Sequence, residues 1–290
     1  MFDGVHLGHR AVLKAAVASA RRTDGVAAAL TFDHHPSRLL NPNGAVPLIH
    51  PVDVKVDRML KAGLDVVITH TFTREFSAVE ADQFLSHLKS ALPQLASVYV
   101  GENWRFGKGR RGDIGLLNEL GRAQGIQIFS APRVKLDGEP ISSTRIRAAL
   151  KDGDIEQVNA LLGYTYRSRG LVVEGRRLGR TLGFPTLNLA WVPECGPKHG
   201  VYAVKAGLFG NEPAWEGVAN YGVRPTVETG APAEPQLEVH LFEEPPFTTG
   251  ADLVVDWCAY LRSEKRFTSI EELRDQITMD RGCARQWFDG

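Results

Sequence analysis

Two textures of apolar and polar positions divide the chain. From residue 26 to about 160, short apolar runs alternate with amphipathic stretches. The runs VAAALTF (26–32), DVVITH (65–70), SVYVG (97–101) and IQIFS (126–130) are bounded by polar or turn residues, as strands buried on both faces are. Between them, VDVKVDRMLKAG, AVEADQFLSHLKSAL and IGLLNELGRAQG carry helical spacing, the last closed by Gly125. Residues 8–22 predict a further helix, with Leu13, Ala16, Val17 and Ala20 on the side that packs on the sheet. Strand–helix alternation of this kind predicts an α/β domain built on a doubly wound, Rossmann-like parallel sheet.

After NALLG (159–163) the period changes. YRSRGLVVEG, FPTLNLAW, GVYAVKAGLFG, EGVANYGV, QLEVHLFE and ADLVVDWCAYLR are short strand-like runs punctuated by Gly and Pro. They predict an antiparallel barrel or sandwich. Only SIEELRDQITMDRGCARQWF at the end reads as a helix, with Thr268 or Ser269 as N-cap and Glu271 and Glu272 in its first turn. The predicted domains are therefore 1–163 and 164–290.

Composition changes this picture little. A chain of 290 residues suits two domains. Its 34 Lys and Arg balance 34 Asp and Glu, so no overall field draws nucleic acid or an anionic membrane. The three cysteines (Cys195, Cys258 and Cys283) form no C-x-x-C pair, which suits a reducing cytoplasm better than a disulfide scaffold or a zinc knuckle. No apolar run is long enough to span a membrane, and the N-terminus lacks a secretory pattern. A cytoplasmic protein with small-molecule partners is expected.

Candidate chemistry begins at HLGHR. His6 and His9 flank Gly8 where a helix starts, and free N–H groups there favour an anion. Two imidazoles on that turn would donate hydrogen bonds to a phosphate during transfer. A zinc pair would need further ligands, and His34 and His35 lie beyond a strand. A second element is ISSTRIRAAL (141–150). Ser142, Ser143 and Thr144 stand where an N-cap belongs, followed by Arg145 and Arg147. Cations at that end oppose the helix dipole, and make sense with a phosphate between them.

FDGVHLGH, TFDHHP, GENWRFGKGRRGD and SSTRIR, in this order, resemble the adenylyltransferase half of the prokaryotic bifunctional riboflavin kinase/FAD synthetase family. The resemblance implies an HxGH nucleotidyltransferase. It carries ATP-phosphate contacts onto His6, His9, Gly8, Ser143, Thr144 and Arg147, and a nucleotide contact onto Asn103. In TFDHHP, His35 and Pro36 match the family, while His34 stands where a proline is usual. Asn103, Trp104 and Phe106 are placed to flank a flavin or nucleotide ring, with His35 as a further flavin contact. The alternatives for the basic run RFGKGRR are a solvated loop or an RNA contact, the latter weakest in a chain of neutral overall charge.

The second half contains no G-x-x-x-x-G-K-[ST], so ATP chemistry there is not of the P-loop type. GRRLGRTLGFPTLN (175–188) instead packs three glycines before PTLN. Glycines suit a loop folding over phosphates, and Thr186 and Asn188, two apart on a strand, offer neutral oxygens to Mg²⁺ beside them. In QLEVHLFE, Leu237, Val239 and Leu241 face one way and Glu238, His240 and Phe242 the other. A glutamate there can take the proton of an attacking hydroxyl. GRTLGFPTLN, GVYAV, GVANYGVRPT and LEVHLF resemble the family's riboflavin kinase domain, a six-stranded barrel followed by a helix. The resemblance implies ATP contacts at Gly179 and Gly183, Mg²⁺ and ATP at Thr186 and Asn188, and Glu238 as base. Leu187 replaces the alanine of the family's PTAN motif, and EEPPFTTGADLV departs from its usual DFDGDLYG turn.

The expected function is ATP- and Mg²⁺-dependent conversion of riboflavin to FMN and of FMN to FAD. The alternatives are a kinase alone with an impaired first domain, or a flavin- or nucleotide-binding regulator. The family carries a buried strand and GN before FDG, where this chain has Met1. An upstream start is expected, or else a weakened first domain.

Overall fold

The computed structural model describes residues 1–175, 183–223 and 235–290. Contacts between Cα atoms divide the chain into two units, Met1–Ser143 and Thr144–Gly290. The division falls earlier than the predicted boundary at 163. Helix Ile155–Leu162 explains why: it packs against strand Asp252–Arg262 of the second unit. Its Asn159 donates to the Trp257 carbonyl oxygen (2.9 Å) and accepts from the Tyr166 amide (2.7 Å), tying helix to barrel.

In the first unit the four predicted apolar runs are strands: β1 (Ala28–Phe32), β2 (Val66–His70), β3 (Ser97–Gly101) and β4 (Gln127–Ala131). They form two parallel pairs, β1 with β2 and β3 with β4. Helix Leu7–Arg22 buries Leu13 and Ala20 with Val5, Ala27, Ala29, Met59 and Leu64. A second apolar cluster holds Phe84, Leu85, Val100, Phe106 and Leu117. Helix Ile114–Gln124 ends as predicted, on Gly125 with φ of +67°. The helix expected over 78–92 is shorter, Phe84–Ala91. Residues just before it are held by a neighbouring loop: Lys108 donates its amide to the Val79 carbonyl (2.7 Å) and its ammonium to Glu80 (2.7 Å). Gly107 lies so close to Ala81 that a Cβ there would sit 2.5 Å from the Ala81 Cα. These contacts replace the helical ladder with a turn.

The second unit contains a closed barrel. Its strands are β7 (Arg167–Val173), β8 (Leu187–Ala190), β9 (Gly200–Leu208), β10 (Trp215–Val223), β11 (Pro235–Leu241) and β12 (Asp252–Arg262), after the short β5 (Lys135–Leu136) and β6 (Glu139–Pro140) of the first unit. The order around the barrel is β10-β11-β8-β7-β12-β9, with antiparallel neighbours throughout. Aromatic rings fill it: Trp257 meets Tyr202 edge-on at 4.7 Å and lies 5.4 Å from Trp191 and 5.8 Å from Tyr221. The indole N–H of Trp257 donates to Ser168 Oγ (3.1 Å), so its one polar atom is satisfied. Helix Ile270–Asp289 lies outside the barrel, capped by Ser269, and buries Ala284 against Val201, Ala203, Val218 and Ala259. The Arg262–Asp280 ion pair, with two N–O distances of 2.7 Å, fastens it.

Candidate functional site

At the start of the chain, a tight turn precedes the helix. Val5 donates its amide to the Phe2 carbonyl (3.1 Å) with Gly4 at φ +79° between them. Phe2 and Val5 also take positive φ, +53° and +38°. Side-chain-bearing residues rarely adopt such values, and each costs about 1–3 kcal/mol unless its surroundings impose it. Here they do: Val5 is buried, and the Asp3 carboxylate accepts from the Ile49 amide (3.0 Å).

The turn delivers His6 as the helix N-cap, its Nδ1 accepting from the His9 amide at 3.3 Å. His6 Nε2 therefore carries the proton of the neutral ring. The His6 and His9 rings stack at 3.6 Å and 15°. Burial pushes the His6 pKa down to about 4, and burial with the neighbouring His6 holds His9 well below its ordinary value. Both rings are thus neutral at physiological pH and offer N–H groups instead of charge. His9 Nδ1 is buried with no hydrogen-bond partner among the described residues. At Gly8 a Cβ would lie 3.2 Å from the His6 ring, so the glycine makes room for the imidazole. The first turn of the helix contains no acidic residue, which leaves its free N–H groups to an external anion.

Ser143 donates its hydroxyl to the Asp3 carbonyl oxygen (2.9 Å), which brings the start of SSTRIR to the HxGH turn. It opens helix Ser143–Asp152, in which Thr144 is exposed and Arg147 half-buried; both fall in the second unit. Just past the carboxyl ends of β1 and β3 lie His35 and Asn103, at the edge where open parallel sheets bind ligands. His35 Nδ1 sits 2.7 Å from Ser37 Oγ. The Asn103 carboxamide oxygen accepts from the Arg133 guanidinium, which also faces Glu102 at 3.6 Å. Trp104 is half-buried and stacks on Phe106 at 4.8 Å. Phe106 itself is only 4 % exposed, closed in by Trp104, Phe84 and Gly112. The structure places it in the core, with no open face for a substrate ring.

Two cations escaped the sequence reading. Arg133 lies two residues past β4. Lys55 lies fully buried in helix Val52–Lys61 and donates to the Phe32 carbonyl oxygen. Burial lowers its pKa, opposed by Asp3 and Asp33. A signal existed: Lys55 stands four residues before Met59 on the buried face, a polar break in an apolar stripe.

In the barrel, Glu238 of β11 is the register partner of Asn188 on β8 and of Asn220 on β10. Leu237 and Val239 point inward, fully buried, so the intervening Glu238 faces outward, as its alternation predicts. Thr186 and Asn188 line one cavity of about 260 Å³ with Gly175, Pro185 and Thr248. Thr186 is not on a strand, as expected, but one residue ahead of β8. Gly175 packs on Asn188 so closely that a Cβ would come within 2.1 Å of its Nδ2. Leu187 pairs with Val239 and so faces away from Asn188, which leaves the two oxygen donors undisturbed by the missing alanine. Gly183 takes φ of +85°, which only glycine adopts freely. Gly179 lies outside the described residues. Among those residues, no group of three or more His, Cys, Asp or Glu is arranged to hold a metal, and no helix is long and apolar enough to cross a membrane.

Comparison with known proteins covers both units. A family model described as FAD synthetase matches residues 1–145, and one described as riboflavin kinase matches residues 162–288. The bifunctional riboflavin kinase/FMN adenylyltransferase of Escherichia coli (strain K12) is 37% identical over 287 residues, 99% of this chain and 90% of the relative. The protein of the same name from Bacillus subtilis (strain 168) is 33% identical over 290 residues, again 99% of this chain and 90% of the relative. A crystal structure titled as a macrolide-efflux protein from Streptococcus pneumoniae matches with a TM-score of 0.87 and 28% identity, covering 99% of this chain and 92% of that one.

Proposed function

The chain belongs to the bifunctional riboflavin kinase/FMN adenylyltransferase family, and from that premise we propose how its own residues carry the two reactions. The barrel phosphorylates riboflavin to FMN with ATP, and the first unit transfers AMP from ATP to FMN, giving FAD and pyrophosphate. The observation that carries the kinase assignment is the register of Glu238 opposite Asn188, two residues from Thr186.

In the kinase reaction Glu238 accepts the proton of the ribityl 5′-hydroxyl as that oxygen bonds to the γ-phosphorus of ATP and the bond to ADP breaks. The Thr186 hydroxyl and the Asn188 carboxamide oxygen are hard, neutral donors, and Gly175 keeps the space beside Asn188 clear. Such a donor set fits Mg²⁺ carried in by phosphates. Bound there, Mg²⁺ would neutralise charge on the transferring phosphate. In the adenylyl transfer an FMN phosphate oxygen attacks the α-phosphorus of ATP and pyrophosphate leaves. His6 and His9 donate neutral N–H groups to the phosphate oxygens alongside the helix N-terminus. Ser143 serves the same phosphates, Asn103 contacts the nucleotide, and Trp104 and His35 contact the flavin.

The test is direct. The chain is incubated with riboflavin, ATP and Mg²⁺, and riboflavin, FMN and FAD are separated by fluorescence-detected chromatography. FMN followed by FAD is expected. FMN that accumulates with no FAD would sink the reading of the first unit.

A further inference from the structure

The chemistry just described gives no task to His240, one of the few buried polar residues of the barrel. It lies two residues beyond Glu238 on the same face of β11 and is 5 % exposed. Its Nδ1 stands 2.9 Å from the carbonyl oxygen of Pro185. A carbonyl only accepts, so Nδ1 carries the proton. Burial lowers the pKa of the ring and keeps it neutral, with Nε2 deprotonated. Nε2 is buried with no hydrogen-bond partner among the described residues. The ring of Phe184 meets the imidazole edge-on at 5.4 Å.

One side chain therefore grips both residues that precede Thr186. Asn188 needs no such help, because the β8 ladder fixes it between Glu238 and Val173. The ladder begins only at Leu187, so Thr186 lies beyond its reach. A leucine at 240 would fill the space without leaving a buried nitrogen unpaired, a deficit that costs about 1–3 kcal/mol. Stability alone does not account for the histidine.

We propose that His240 is a positioning residue of the kinase reaction: through Nδ1–H to Pro185 it holds the Thr186 hydroxyl in register with Asn188 and Glu238. The inference rests on the reading of Thr186 as a ligand of the metal–nucleotide. Its effect falls on MgATP, since His240 touches the segment bearing Thr186.

Three substitutions isolate the hydrogen bond. His240→Asn puts a donor where Nδ1 stands, His240→Gln puts one where Nε2 stands, and His240→Leu has none. Each full-length variant is assayed for riboflavin phosphorylation, for half-saturating MgATP and riboflavin, and for adenylylation of supplied FMN. The Gln and Leu variants are expected to lose about tenfold or more in kcat/KM for MgATP, the range typical of residues that orient ligands. The riboflavin KM and FAD formation should be unchanged, and the Asn variant should stay near the parent. If the Leu variant does not fold, the contrast of Asn with Gln carries the test. Equal losses in Asn and Gln, or no loss in any variant, would overturn the proposal. Thr186→Val separates the two levels. An inactive Thr186→Val beside a flat His240 series overturns this inference alone, whereas an unaffected Thr186→Val overturns the ligand reading as well.

Discussion

Each unit is proposed to use a nucleoside triphosphate of its own, and the two hold their candidate groups by opposite means. In the first, the site sits on a turn with two side-chain-bearing residues at positive φ, and it keeps two histidines and a lysine out of water. In the second, Glu238 and Asn188 are register partners in a closed ladder over an aromatic core. A strained turn with desolvated titratable groups ties the site to proton concentration. A ladder ties it to the packing inside the barrel. The difference says which perturbation each site should feel.

The largest expected effect is on chemistry. Glu238→Gln removes the proposed proton acceptor and keeps the shape, so riboflavin phosphorylation should fall by about 10²–10⁴-fold while supplied FMN is still converted to FAD. His9→Ala should do the reverse, lowering FAD formation by about 10²–10³-fold with FMN production intact. Chromatography of products from each variant reads both. Parallel losses in the two activities would break the comparison at its root.

Next comes the core of the barrel. Trp257 is fully buried, meets four aromatic rings and donates to Ser168. Trp257→Ala should cost about 3–5 kcal/mol and lower the thermal transition of the barrel in scanning calorimetry of the full chain. An unshifted transition would show that the ring stack does not support the ladder.

Acid should act on the other unit. The folded-state pKa of His6, about 4, lies below the ordinary value of 6.5. Below pH 6.5 the unfolded chain binds a proton there that the folded chain refuses until about pH 4. Stability is therefore complete above pH 6.5 and is lost as pH falls towards 4, by about 3 kcal/mol for His6. His9 adds a loss of the same sign, and in the barrel His240 acts the same way. Hydrogen exchange, corrected for intrinsic rate, should show Leu7–Arg22 losing protection sooner than β9 between pH 6.5 and 4. Earlier loss in β9 would reverse the assignment.

The sequence disclosed the ladder more readily than the turn. Strands announce themselves through a period of two, so the apolar runs were found within a few residues and Glu238 was put on the face opposite Leu237 and Val239. That period is the same in a sandwich and a barrel, so closure came only through resemblance. The overlong helix at 78–92 was a failure of a different kind, because the contacts from Gly107 and Lys108 that break it lie far along the chain. Candidate residues held in motifs, such as His6, His9 and Ser143, were legible, and the fold stacks the two histidines and ties Ser143 to the turn before them. Lys55 and Arg133 were not, since their partners are carbonyl and carboxamide oxygens supplied by other segments.

The smallest expected effect concerns helix caps, where the two units are alike. Asp113 accepts from the Leu116 amide at 3.1 Å, and Ser269 accepts from the Glu272 amide at 3.1 Å. Replacing either by alanine should cost about 1 kcal/mol. The supports differ, however. Glu272 also accepts from the Thr268 amide and hydroxyl, both at 3.0 Å, so the start of the barrel's outer helix keeps a second clasp after Ser269→Ala. Asp113 also pairs with the exposed Arg105, 3.1 Å away, and that ion pair disappears with the cap. Asp113→Ala should therefore destabilise its helix somewhat more than Ser269→Ala does. Amide exchange at Leu116–Leu117 against Glu272–Leu273 measures the contrast. A larger loss at Ser269 would mean that the Glu272 clasp depends on the serine and that the outer helix is held by its end more than by Asp280 and Ala284.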